Sequence, residues 1–234
     1  MKRIAGHIDR RARAFLADDS GAALIELTLC IAIFLAMMFA VFDFGRMGSD
    51  YVLVEKALQR GARIAAVRPN ACNGQTLPDF HGRGTVPSGT PVPTYGTICR
   101  FASYVCSDPG EVSCTGDLSN TTFAEMWAEM DQVMPGDAVP ADIRIRYTYD
   151  QNLGFLGGPY TPMVTVELAG EDPTAETTAT NPPALRFTYI HPLGELAGLL
   201  SGTGNRLGDD NGEIPFPPMS ISLPAEDLNQ GTQG

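Results

Sequence analysis

Between Ala22 and Phe42 the chain carries twenty-one residues with a single charge, Glu26, which lies five positions after Gly21. A carboxylate inside an apolar span is costly, about 2.5 to 3.5 kcal/mol for an Asp at mid-helix on insertion scales, so it calls for a partner. The chemistry this position offers is ion pairing with an α-amino group. A cut after Gly21 would make Ala22 the first residue of the mature protein and Glu26 the fifth. The competing reading is an uncleaved anchor, with Glu26 near the cytoplasmic interface and its carboxylate snorkelling to water. Gly21 and the polar Asp18-Asp19-Ser20 ahead of it favour the cut, because a peptidase needs an accessible, small residue at the scissile position.

Other chemistry has little to stand on. The three histidines, His7, His81 and His191, are surrounded by no Gly-x-Ser-x-Gly, H-E-x-x-H, phosphate-binding glycine loop or paired cysteine redox motif, and they read as surface or turn residues. Trp127 and the methionines at helical spacing read as core. Asp209-Asp210-Asn211-Gly212-Glu213 offers oxygens and a turn glycine for calcium, but it does not match the EF-hand loop and reads as a solvated turn. Asn120-Thr121-Thr122 fits a glycan acceptor, and a capped helix start explains the same residues. The expectation is a protein that is not an enzyme and uses no cofactor or metal.

The charge pattern sets topology and excludes a class of partner. Residues 1–21 carry five Lys/Arg against three Asp, whereas residues 69–234 carry six against twenty Asp/Glu. Nucleic acid is therefore excluded as a partner of the large domain. Lys2, Arg3, Arg10, Arg11 and Arg13 form a basic tail that the positive-inside rule keeps in the cytoplasm, so everything after about residue 43 is exported. A secretory signal peptide has an apolar core of about 7 to 15 residues and an A-x-A-like site. Here the core is about 21 residues, some 31 Å as a helix, and Asp43-Phe44-Gly45-Arg46 follows it directly. That is a membrane anchor.

Cysteine placement agrees with export. Cys72, Cys99, Cys106 and Cys114 lie in the exported part and imply two disulfides, while Cys30 lies inside the apolar span. The spacings lack the close pairs of structural zinc sites. Three connectivities are open. Pairing by nearness in sequence gives Cys72 with Cys99 and Cys106 with Cys114, the first closing a Gly/Pro/Thr-rich loop over 70–98 with about 3 to 4 kcal/mol of loop entropy.

These features need elements to position them. No proline interrupts Ala22–Val67, and Met47, Tyr51, Val54, Leu58 and Ala65 recur at helical spacing. One helix of about 45 residues, near 68 Å, is expected until Pro69 ends it, weakened by about 1 kcal/mol at each of Gly45, Gly48 and Gly61. Its apolar stripe is expected to pack on the chain's own domain in one place and on neighbouring subunits in another. Residues Arg100–Cys106 fit either a helical turn or an edge strand. Thr122 and Glu125 have capping-box spacing ahead of an apolar face, which predicts a helix over 122–134. Period-two alternation then predicts half-buried strands around Ile143–Tyr149, Val164–Leu168, Leu185–Tyr189 and Met219–Leu223, joined by loops that include 202–218. The expected class is α+β: a long N-terminal transmembrane and amphipathic helix, then a small antiparallel sheet packed on helices and stapled by disulfides. The divisions are a leader over 1–21, the helix over 22–68 and an exported domain over 69–234.

Over about Phe15 to Arg68 the residues resemble the TadE-like minor pseudopilins of the tight adherence (Tad, Flp) pilus system. The matching stretches are Asp19-Ser20-Gly21-Ala22-Ala23-Leu24-Ile25-Glu26, the apolar helix, Asp43-Phe44-Gly45-Arg46, and Ala57 through Val67 with Arg60, Gly61 and Arg63. The resemblance implies processing by a prepilin peptidase between Gly21 and Ala22, with Glu26 as the pilin-type glutamate. It also implies other pilins, pseudopilins and an inner-membrane assembly platform as partners. Leu27 departs from the pattern, in which an aromatic residue usually follows the glutamate, and the large acidic domain is unlike the very short major Flp pilins. The expected role is a minor pseudopilin of the bacterial inner membrane with a periplasmic domain, acting in assembly of a type IV pilus. The alternative is an uncleaved single-pass protein whose acidic domain is an adhesin or binding module; a hydrolase on an anchor has only scattered acids behind it.

Overall fold

A computed structural model describes residues 20–172, 174–178, 180–189 and 213–226. The basic leader, His7, His191, the stretch 191–200 and Asp209 to Gly212 of the acidic turn lie outside the described residues. The chain divides into two units, Met1–Arg46 with Tyr189–Gly212, and Met47–Thr188 with Glu213–Gly234.

Helix α1 runs Ser20–Val67, forty-eight residues without a proline, and ends one residue before the Arg68-Pro69 step, as proline geometry requires. Its first part belongs to the first unit. There Leu24, Ile25, Leu29, Ile33, Phe34, Met37, Val41 and Phe42 are all exposed, and the helix is long and apolar enough to cross a membrane.

From Met47 onward α1 belongs to the second unit and becomes its spine. Val54, Ala57, Leu58, Ala62, Ala65 and Ala66 are buried, the stripe that the 3.6-residue period predicts. At its C-terminus the Ala66 carbonyl accepts from the Glu226 N–H at 2.7 Å, so a helix-end acceptor is satisfied by backbone beyond the last strand. Helix α2, Thr121–Met130, is shorter than the sequence suggests, and Asn120 caps it by accepting from the Phe123 N–H. Thr122 is instead the second helical residue and is buried. Asn at the N-cap is as good as Ser or Thr, and here it wins because its amide also donates to the Asn70 carbonyl at 3.1 Å.

Four strands make the main antiparallel sheet: β1 (Val112–Thr115), β2 (Ile143–Thr148), β3 (Met163–Leu168) and β6 (Ser220–Pro224), in the order β1-β2-β3-β6. A second, two-stranded ladder pairs β4 (Arg186–Thr188) with β5 (Glu213–Pro215). This corrects the expectation of four strands in one sheet: the 185–189 segment pairs in its own ladder, and β5 falls inside the predicted 202–218 loop. Ile145, Val166 and Ile221 stand side by side across three strands, as do Tyr147, Val164 and Leu223. Ile145, Tyr147, Val164 and Val166 belong to the buried core with Phe123, Met126 and Met130 of α2, while Ile221 and Leu223 on the edge strand are half-buried. The edge strand β6 has Pro217 and Pro218 before it and ends on Pro224, which limits edge-to-edge pairing.

The disulfides are Cys72–Cys114 and Cys99–Cys106, with Cα–Cα distances of 5.6 and 5.2 Å, not Cys72 with Cys99 and Cys106 with Cys114. Nearness in sequence fails because the chain leaving α1 runs beside β1. Tyr147 Oη accepts from the Ala71 N–H at 3.0 Å, and Asn73 bonds Asp117 and Ser119, so Cys72 is delivered to Cys114. The 70–98 loop is tethered instead by backbone bridges, Phe80 to Pro159, Arg83 to Cys106 and Ile98 to Phe155. Cys99–Cys106 closes a 3₁₀ turn at Cys99–Phe101 over a small second core of Val105 and Leu156.

Candidate functional site

Glu26 sits on the exposed apolar part of α1, and among the described residues nothing bonds to it. Two residues on, the Thr28 hydroxyl donates back to the carbonyls of Leu24 and Ile25, so that side chain is occupied locally and offers the carboxylate nothing. Gly21 and Ala22 lie in the first turn of the helix. Cys30 is exposed and unpaired in a disulfide.

The Asp43-Phe44-Gly45-Arg46 motif forms an i, i+3 ion pair. Arg46 Nη1 lies 3.5 Å from Asp43 Oδ1, and Asp43 is fully buried. A buried acid at the end of an apolar span needs such a counter-charge. Gly45 has open space where a side chain would begin.

The Arg60-Gly61-Arg63 stretch explains its glycine by packing. A Cβ built on Gly61 would come 2.5 Å from Met130 Sδ, so the Met130 side chain of α2 fills the space that a side chain at position 61 would take. Beside it Arg60 Nη1 donates to the Glu129 carbonyl at 3.4 Å, and Arg68 pairs with Glu125 at 3.2 Å. Arg63 is exposed. The motif thus seats the second half of the long helix against α2 within the second unit.

On the far face of the sheet lies a charged cluster that alternation does not predict. β2 reads as a half-buried strand, yet Arg144 is 4% exposed and Glu167 4%. Arg144 lies 3.6 Å from Glu167, Arg146 lies 3.3 Å from the same carboxylate, and Arg144 also donates to the carbonyls of Asp172 and Ala175. The segment after β3 covers this face. It is held by Asn181, whose side chain accepts from the Asp172 N–H and donates to three carbonyls. Burial pushes the Glu167 carboxyl above its ordinary range, against the pull of Arg146 and Arg144.

His81 is buried, 1% exposed, which corrects its reading as a surface or turn residue. Gly154, at φ +76°, lets the ring pack on its backbone, where a Cβ would come 2.1 Å from Nε2. The Thr161 N–H donates to Nε2 at 3.3 Å, and Tyr160 packs against the ring at 5.2 Å. Burial lowers its pKa. His81, Cys99 and Cys106 bring possible metal-ligand atoms within 4.8 Å of one another, but both sulfurs are spent in a disulfide, so the thiolates a metal needs are absent. Trp127 is half-buried and stacked on Phe123 at 6.4 Å.

Glu26, the Asp43–Arg46 pair and the Gly61 seat all lie on α1, an arrangement for anchoring and packing. No curated protein and no solved structure matches the chain significantly. Residues 21–63 match the family model described as TadE-like protein, and the match begins at the glycine ahead of Glu26 and ends at Arg63. Over that segment, well under half of the chain, the sequence is similar to TadE-like proteins, which is consistent with a component of a Tad pilus system.

Proposed function

We propose that the chain is a non-enzymatic minor pseudopilin of a Tad-type pilus, anchored in the inner membrane and matured by cleavage between Gly21 and Ala22. The observation that carries this reading is the extent of the TadE-like segment, which opens on Gly21 and takes in Glu26, the Asp43–Arg46 pair and Arg60-Gly61-Arg63. Cleavage frees the Ala22 amine, and Glu26 pairs with such an amine, its own or a neighbour's, as a charge-assisted hydrogen bond in an apolar setting. The exposed apolar residues of α1 then find cover in a bundle of like helices. The basic leader stays in the cytoplasm and the domain faces the periplasm, where disulfides persist. A prepilin peptidase, other pilins and pseudopilins, and the inner-membrane platform are its partners.

The test is Glu26→Ala in the native host. Membrane insertion stays intact and piliation falls; a pilus count equal to wild type refutes the role. A second reading, an uncleaved anchor bearing a binding domain, is favoured by the exposed rings of Phe80, Tyr95, Phe101 and Phe155, at 60, 77, 71 and 44%. An uncleaved chain together with normal piliation in Glu26→Ala selects it.

A further inference from the structure

A pocket of about 280 Å³ opens beside the bridge that pairs Phe80 with Pro159. Pro78, Pro109 and the exposed ring of Phe80 give it apolar walls, and Asp79, His81 and Tyr160 bring polar groups to it. An apolar hollow with a few polar groups has the composition of a small-ligand site.

Two of those groups lack partners. Among the described residues nothing bonds to His81 Nδ1 or Tyr160 Oη, although both residues are buried, and a buried polar atom left unpaired is costly. The Thr161 N–H donates to His81 Nε2, so the neutral ring that burial favours carries its proton on Nδ1. Burial, with Asp108 nearby, pushes Tyr160 up to about 12, so its hydroxyl keeps its proton. Both orphans are therefore donors, and they call for an acceptor oxygen.

The ligand that fits is neutral. Among the described residues no Lys or Arg lines the pocket, whereas Asp79 does and Asp108 acts on Tyr160, so phosphate, nucleic acid and anionic lipid are repelled. Nor is the ligand read through a main chain. The Asp79 and Gly82 carbonyls and both backbone groups of His81 are already bonded to Tyr160, Ser107, Gly158 and Gly157, so an extended peptide finds these groups spent. Aromatic rings surround the site instead. Tyr95 and Phe155 are exposed, and their rings lie 2.5 and 2.6 Å from where a Cβ on Gly157 or Gly158 would stand, so both are seated on backbone next to the Phe80–Pro159 bridge. A sugar offers hydroxyl oxygens to donors, hydroxyl protons to a carboxylate and an apolar ring face to an aromatic.

We infer that this pocket binds one unit of a neutral saccharide, with His81 and Tyr160 donating to its oxygens and Phe80 stacked on its ring. The site goes beyond the assembly role and stands whether or not the chain is cut after Gly21, so the two fail separately.

Titration calorimetry tests it on the full-length chain, in a detergent without a sugar headgroup, with maltohexaose, cellohexaose and chitohexaose as probes. At least one of them binds. Phe80→Ala weakens that binding about tenfold by removing the stacked ring, and Tyr160→Phe weakens it about two- to tenfold by removing one donor. The Phe80 ring is exposed and the Tyr160 hydroxyl has no hydrogen-bond partner among the described residues, so Tyr160→Phe melts at or above the wild-type temperature and Phe80→Ala close to it, which separates lost binding from lost folding. The proposal is overturned if none of the three sugars binds, or if either variant binds sugar as the wild type does. It is overturned equally if a decaproline peptide binds in place of the sugars and Phe80→Ala abolishes that binding, which would assign the pocket to a protein partner.

Discussion

Replacing Cys72 and Cys114 together by Ser should destabilise the sheet-bearing unit more than replacing Cys99 and Cys106. The two bridges differ in the length of chain they close, 42 residues against 7. In the chain-entropy model the first restricts the unfolded ensemble by about 4 kcal/mol and the second by about 2.4 kcal/mol. For a unit of this size a loss of 1 kcal/mol lowers Tm by about 2 to 4 °C, so the expected falls are about 8 to 16 °C and about 5 to 10 °C. Trp127 is the only tryptophan and stacks on Phe123 in α2, so its fluorescence during a thermal melt in detergent reports this unit directly. Equal shifts, or a larger shift on removing Cys99–Cys106, would refute the loop-length argument. Peptide mapping of the unreduced protein checks the premise, and a Cys72–Cys99 peptide would refute the pairing itself.

Gly61→Ala gains about 1 kcal/mol of helix propensity but drives a methyl group to within 2.5 Å of Met130 Sδ, an overpacking cost of about 1 to 3 kcal/mol, so the net change is destabilising. Gly48→Ala, with open space around it, is neutral or stabilising in the same melt, and a stabilised Gly61→Ala would remove the packing explanation. Arg144→Met leaves the buried Glu167 with Arg146 as its counter-charge and removes the donor to the Asp172 and Ala175 carbonyls, so it costs less than the about 3 to 5 kcal/mol of a fully stranded charge, whereas Arg144→Met with Glu167→Met recovers part of the loss; chemical denaturation of both variants decides this. His81 has a folded pKa below its ordinary 6.5, so the unfolded chain binds the extra proton first. Stability is full above pH 6.5 and declines as pH falls below it. His81→Gln flattens that part of the profile, and an unchanged slope in the variant would show that other groups cause it.

The sequence was legible where a period ran long enough to be read. The α1 stripe and the alternating runs of β2, β3 and β6 each commit one face to the core, and the buried residues Val54, Leu58, Ile143, Ile145, Val164 and Val166 follow from them. β1 and β5, four and three residues long, carry too few alternations to register. Pairing of the cysteines depended on where the chain turns after Pro69, which local pattern does not encode. The burial of Arg144 and His81 came from distant segments, the 172–181 cover and the Gly154 backbone. A buried arginine on an alternating strand has the same spacing as an exposed one. Of the candidate site, Gly21 and Glu26 could be singled out as anomalies of type beside and within one apolar helix, whereas Asp43, Arg46, Arg60, Gly61 and Arg63 stood out only through the family resemblance. What Gly61 does could not be read, since its reason lies in Met130, sixty-nine positions away.

The mature N-terminus tests the central claim most directly. In protein isolated from the native host's membranes or pili, N-terminal sequencing should begin at Ala22. The intact mass should fall by about 2 kDa, the share of 21 residues in a 25.0 kDa chain of 234. A chain beginning at Met1, in cells whose other pilins are processed, would contradict the pairing of Glu26 with a newly freed amine and the pseudopilin assignment built on it.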